Sequence, residues 1–268
     1  MKYPTTPKTK VETREKLATI DYSNTKEGYI VVTYRGDPTK KCKVRIGIGG
    51  RQQFFTVPSD GTSAVLPLCF GNGQYSVKVY QQIKDTQYIE IMSFDPTVKL
   101  VSPLIPWLYP NTYSNYGPGS TCVKTADRLC AGKYSDVERI KRIYNWIIDN
   151  LEYDKVLASR ISTENMSWWL PDPDSVIRDK KSICWGYSSL FAAMCRSQGI
   201  PTKICVGFAD KTYHAWNEVY SYEAGEVCGI KIKKNDWTRI DVTYMDTSNG
   251  GAVAFVNNNK NYTVEYYG

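Results

Sequence analysis

Apolar positions recur at helical spacing in KSICWGYSSLFAAMCRSQGIP, residues 181–201, where Leu190, Phe191, Met194 and Cys195 fall on one face. Gly199 marks a C-terminus there and Pro201 prevents continuation, so the pattern predicts a helix that opens at Cys184. Strand patterns follow it. KICVGF, residues 203–208, is short and rich in β-branched residues. YHAWNEVY alternates, which places His214, Trp216, Glu218 and Tyr220 on one face. WTRIDVTYM alternates too and is expected as a strand holding Arg239, Asp241 and Thr243 together.

Upstream the pattern changes period. GYIVVTY, KCKVRIGI, QQFFTVP, TSAVLPL, YSVKVYQQ and YIEIMS are short runs separated by turn clusters such as RGDPTK, PSDGT and FGNGQ. Strands at that spacing predict an immunoglobulin-like β-sandwich over residues 18–101. Residues 1–17 are polar, basic and Pro/Thr-containing, and are expected as a flexible basic tail. Residues 102–119 carry four prolines and several aromatics, the composition of a connector that packs on a surface. Helices begin beyond it. One runs from Thr121 to the stop at Gly132. A second opens on the capping box Ser135-Asp-Val-Glu138, with Val137, Ile140, Ile143, Ile147 and Leu151 on its stripe. Asp172-Pro173 starts a short helix that leads to Cys184. The expected fold class is therefore α+β, with residues 120–268 as a second, mixed domain.

Three polar residues stand out within this second region. Cys184 lies in the first turn of the predicted helix, where free N–H groups and the helix dipole favour a thiolate. His214 is the only histidine in the chain. With Asp241 they supply a nucleophile, a base and a carboxylate that orients the base, the logic of covalent acyl transfer. A cysteine alone is more often a small buried apolar residue, the reading that fits Cys195 and Cys205. Cys184 differs by its seat at a helix start. The 30-residue step from Cys184 to His214 also departs from papain-type enzymes, where it is roughly 130–150 residues.

In KSICWGYSSLFAAMCRSQGIPTKICVGF, YHAWNEVY and WTRIDVTYMD the chain resembles the transglutaminase-like superfamily of cysteine enzymes. The resemblance covers roughly residues 120–250 and is closest to two-domain, surface or secreted bacterial members with an N-terminal β-domain. It implies a papain-related catalytic domain with Cys184 as nucleophile, His214 as base and Asp241 as orienting acid. Tyr153, Trp169 and Trp185 are candidates for the oxyanion hole and cleft. The implied activity is acyl transfer on protein or peptide amides through a thioester, completed by an amine or by water. A peptidase or amidase of cell-surface peptides, and a non-catalytic binding module, are the alternatives.

Composition narrows the partners. Residues 1–100 hold 15 Lys and Arg against 9 Asp and Glu, and residues 101–268 hold 19 against 18. The basic excess thus lies on the tail and β-domain, where it suits an anionic cell-surface polymer or a merely solvated face. No nucleic-acid motif is present. Neither a secretory h-region nor a run approaching the ~18 apolar residues of a membrane span occurs. An extracellular or cell-surface setting is expected, with a cytoplasmic one as the alternative. Eight cysteines without a C-x-x-C pair, beside a single histidine, fit no common zinc pattern, so neither metal nor cofactor is expected. Asn165-Met-Ser167 and Asn261-Tyr-Thr263 fit the glycosylation pattern.

Overall fold

The computed structural model describes residues 1–14, 17–164, 169–248 and 252–268; the Asn165 motif lies outside them. The chain divides into two units, Pro4–Thr112 and Tyr113–Gly268, the latter joined by Met1–Tyr3.

The first unit is built of strands: β1 (Val11–Arg14), β2 (Ala18–Asp21), β3 (Tyr29–Tyr34), β4 (Cys42–Ile48), β5 (Arg51–Val57), β6 (Ser63–Pro67), β7 (Gly73–Gln74), β8 (Ser76–Lys84), β9 (Gln87–Phe94) and β10 (Thr97–Val98). Two antiparallel four-stranded sheets, β1-β2-β3-β6 and β5-β4-β8-β9, carry it. Alternation sets their faces. On β4, Cys42, Val44 and Ile46 are buried while Lys43 and Arg45 are half-exposed. On β3 all six residues are buried, as its unbroken apolar run requires. This all-β region is consistent with an immunoglobulin-like sandwich.

The segment expected as a flexible tail is instead held. Val11–Arg14 pairs with β2, the Thr5 N–H donates to Tyr29 Oη at 3.0 Å, and the Lys8 N–H donates to Asp21 Oδ2 at 3.0 Å. Its order rests on backbone hydrogen bonds, which leave no hydrophobic period in the sequence. The expected connector is shared between the units. Ile105 and Tyr109 pack with Tyr29 and Val31, whereas Tyr116 joins the core of the second unit and meets the Tyr3 ring edge-on.

The second unit runs α1 (Thr121–Leu129), α2 (Asp136–Asn150), β11 (Glu152–Tyr153), α3 (Lys155–Thr163), α4 (Pro173–Asp179), β12 (Lys181–Ser182), α5 (Cys184–Ser197), β13 (Thr202–Ala209), β14 (Thr212–Ser221), β15 (Gly225–Val227), β16 (Ile230–Ile232), β17 (Asp236–Ile240), α6 (Val242–Thr247), α7 (Ala252–Asn257) and β18 (Tyr262–Tyr267). Helix α5 is its axis: every residue from Gly186 to Ser197 is buried. Helices α1, α2 and α4 pack on it, as does the antiparallel sheet β17-β14-β13-β18. Leu190, Phe191 and Met194 of α5 meet Ile140, Ile143 and Ile147 of the α2 stripe in one core. Truncating any of these to alanine would cost about 2–5 kcal/mol. The predicted capping box of α2 is formed, with Ser135 and Glu138 bonded reciprocally.

Two polar clamps fix α5 on its sheet. The buried Asn217 amide donates to the Ser188 and Lys203 carbonyls, each at 3.0 Å, tying α5 to β13. Arg196, fully buried, donates to the carbonyls of Thr202 and Gly268, each at 2.8 Å.

Candidate active site

The start of α5 is built by the segment before it. Lys180 ends α4 in the left-handed region at φ 53°, and the chain turns into β12. This two-residue strand pairs in parallel with β11, so Tyr153 lies opposite Ser182, two residues before Cys184. Ile183 is the N-cap and offers no side-chain acceptor, which leaves the first-turn N–H groups of α5 free beside the Cys184 thiol. Gly186 makes the packing possible. A Cβ there would stand 1.9 Å from Ser182 Oγ and 3.2 Å from Val176. Gly186→Ala is therefore expected to lose about 1–3 kcal/mol of stability and to slow alkylation of Cys184. Thermal unfolding and timed iodoacetamide labelling check this; an alanine variant unchanged in both would show that the helix start has room to spare.

His214 arrives from β14. Its neighbour Asn217 bonds α5 and Val219 joins the core around that helix, while the His214 and Trp216 rings stack with planes 18° apart. Asp241 is not in a strand. Strand β17 ends at Ile240, and Asp241 is the N-cap of α6, accepting the Tyr244 N–H on Oδ1 at 2.9 Å. The β-branched Val242 and Thr243 continue the strand pattern in sequence, but the carboxylate competes for the backbone and starts a helix. Its other oxygen, Oδ2, accepts from His214 Nε2 at 2.8 Å. Asp241 is wholly buried and His214 nearly so.

His214 and the Cys184 thiol line the same cleft. Burial alone would lower the proton affinity of His214, but the Asp241 charge, its hydrogen bond and the bond to Cys184 outweigh it and raise the pKa to about 10. The imidazole is thus cationic through the neutral range, the partner a thiolate needs. An ordinary histidine titrates near 6.5. Stability contributed by this charge is accordingly full below about 6.5 and is lost as pH rises through about 10. The rate of acylation is expected to hold through pH 8 and 9 and to fall near 10, as His214 loses the proton it must give to the leaving group. A pH–rate profile that already declines at neutral pH would contradict this.

A cleft of about 460 Å³ opens over Cys184 and His214. Its walls are aliphatic and aromatic, with Ile161, Tyr153, Trp169, Trp185, Tyr213 and Tyr266 among them. All three oxyanion and cleft candidates from the sequence line it. Tyr153 keeps its proton, since burial and then the nearness of Cys184 raise its pKa. The Trp185 Nε1 is buried without an acceptor. Tyr213 and Tyr266, joined Oη to Oη at 3.2 Å, were not legible beforehand. Tyr266 lies on β18, far along the chain, and no local pattern links it to the cysteine. Among the described residues no group of three or more His, Cys, Asp or Glu is arranged to hold a metal.

Residues 123–242 match the transglutaminase-like superfamily. The second unit carries a transglutaminase-like core domain. Cys184, His214 and Asp241 all lie within the matched segment of this core. Kyphoscoliosis peptidase of Mus musculus is 31% identical over 99 residues, covering 32% of this chain and 14% of that protein. Its Homo sapiens counterpart is 30% identical over 99 residues with the same coverage of 32% and 14%. The chain thus spans a small fraction of the length of these curated relatives. The structure of red sea bream transglutaminase aligns at 13% identity with a TM-score of 0.34, covering 84% of this chain and 49% of that one. The superfamily places the second unit among cysteine enzymes at the general level. Among the described residues no helix is long and apolar enough to cross a membrane.

Proposed function

We propose that this protein is a cysteine acyl-transfer enzyme acting on amides of proteins or peptides. The observation that carries the reading is the His214–Asp241 pair, bonded at 2.8 Å, in one cleft with Cys184 at the start of a helix with an uncapped N-terminus. Cys184 Sγ attacks the amide carbonyl and forms an S–C bond. The carbonyl oxygen gains charge and is held by the free backbone N–H at the helix start, with the protonated Tyr153 hydroxyl as the side-chain donor. As the oxyanion collapses the C–N bond breaks, and its electron pair takes the proton from His214. Ammonia or an amine departs, and a thioester stays on Cys184. An amine or water then attacks, His214 takes up its proton, and the thiolate is restored.

Asp241 holds one imidazole tautomer and stabilises the cation. Among the described residues the cleft lining beyond Cys184 and His214 holds no charged side chain, so the acyl donor meets an apolar aromatic wall around the reacting amide. The 31% identity to kyphoscoliosis peptidase favours hydrolysis as the second outcome of the same thioester. A binding module has no use for the full set of three residues. The basic excess of the β-domain fits a setting outside the cell beside an anionic polymer.

Incubation with a glutamine-containing protein and a fluorescent primary amine, followed by mass analysis, tests the reading. Amine incorporation marks transamidation, a one-dalton gain deamidation, and chain cleavage peptidase action. No change in any of the three, with folded protein, would count against it.

A further inference from the structure

Tyr262, at the start of β18, lies outside residues 123–242 that match the superfamily, yet it touches the candidate triad. Its hydroxyl donates at 2.8 Å to Asp241 Oδ2, the oxygen that also accepts from His214. The buried carboxylate thereby holds three donors, from Tyr262, His214 and the Tyr244 backbone. The phenol ring is fixed on several sides. Trp216 meets it edge-on at 4.9 Å and Phe255 at 5.6 Å between centroids, and the Arg239 guanidinium lies over it at 4.1 Å. Strand β18 can come so near because Gly207, at a register shift against it, has no Cβ; one would stand 2.0 Å from the Thr263 carbonyl.

We propose that Tyr262 is a positioning residue of this site, whose hydroxyl fixes the Asp241 carboxylate and shares its charge. This rests on the reading of Cys184 and His214 as nucleophile and base. With two donors on Oδ2, the pull of that oxygen on the imidazolium is moderated, and His214 releases its proton to the leaving nitrogen more readily. With the phenol hydroxyl gone, the whole charge of Oδ2 would fall on His214. The ring would hold its proton to higher pH and protonate the leaving group more slowly. The carboxylate would also lose one of the bonds that set its rotation.

The other charged and titratable groups facing this pair are phenols and one guanidinium among the described residues. Tyr144 from α2 faces Asp241, while Tyr153 and Tyr213 face Cys184. Burial, as the largest cause, raises all three phenols together with Tyr262 and so disfavours their ionised forms. Among the described residues Tyr244 and Arg239 also lie beside it, the latter bonded to the Val256 carbonyl at 2.8 Å.

His214 is the only histidine, so ¹⁵N-histidine labelling yields a single imidazole whose titration can be followed by NMR. Tyr262→Phe keeps the ring and removes the oxygen. The His214 midpoint is expected to move up by roughly 0.5–1 pH unit. Turnover on casein with a fluorescent amine should fall about 10–100-fold with KM unchanged, by analogy with the loss of an outer partner of a metal-ligating side chain. Site-specific difluorotyrosine at position 262 preserves the packing and donates more strongly, so the midpoint should move down. Titrations that superimpose in all three forms overturn the proposal. Capping Cys184 with iodoacetamide separates the two levels of the argument. If capping shifts the wild-type titration while the Tyr262 variants match it, the pair stands and Tyr262 alone is removed. If capping leaves the wild-type titration unmoved, the pair itself fails and the proposal with it.

Discussion

Cys184→Ala is expected to lower turnover by about 10⁴-fold or more, because the thiolate is the atom that forms the covalent bond. Removing the nucleophile from a set that works as a unit costs nearly as much as removing the whole set. Labelling should show the same asymmetry before any substrate is known. Cys42, Cys122, Cys195 and Cys205 are buried, and burial raises all four thiols. Cys130 and Cys228 are raised by burial too. Cys184 is half-exposed, shares a cleft with an imidazole whose proton affinity is raised, and is seated at a helix start. Brief iodoacetamide treatment near neutral pH should therefore mark Cys184 ahead of the exposed Cys228 and the half-exposed Cys69. Peptide mapping that finds Cys228 labelled first would contradict this.

Asp241→Asn should have the second-largest effect, a fall in turnover of roughly 10²–10⁴-fold. Asparagine is as good an N-cap as aspartate, so its carbonyl can still accept the Tyr244 N–H and α6 should persist. Its amide then faces two donors, His214 Nε2 and the Tyr262 hydroxyl. One of them must turn away. If the imidazole yields, it takes the tautomer that cannot serve the thiol. The loss is bounded because the helix start supports the thiolate independently. Thermal stability should drop modestly, since the amide leaves a buried donor unpaired. A variant that loses stability while keeping full turnover per folded molecule would make Asp241 a structural cap only.

Much of this site could be read from local pattern, and the limits of the reading are physical. Helix α5 was visible because Leu190, Phe191, Met194 and Cys195 repeat at its period and Gly199-Ile-Pro201 ends it. Strand β14 was visible through its alternation, and six of the N-terminal strands through theirs. Asp241 was found by its order in the chain, but its element was misread, since Val242 and Thr243 look like strand residues and only the cap geometry reveals the helix. Tyr262 and Tyr266 were invisible because their partners lie across a sheet rather than one turn away. The Tyr153 ladder is two residues long, too short for any period to register. Strand β1 is polar and half-exposed, so its pairing left no apolar trace in a segment that reads as a tail.

The central claim is a thioester on Cys184. Its most direct test is to mix the protein with a glutamine-containing peptide, quench in acid within seconds, and measure the mass of the intact chain and of the peptide bearing Cys184. The account predicts a gain equal to the peptide minus ammonia, located on Cys184, discharged by added primary amine and missing from Cys184→Ala. An unmodified Cys184 peptide, from protein that nonetheless converts the substrate at the same rate as Cys184→Ala, would contradict it.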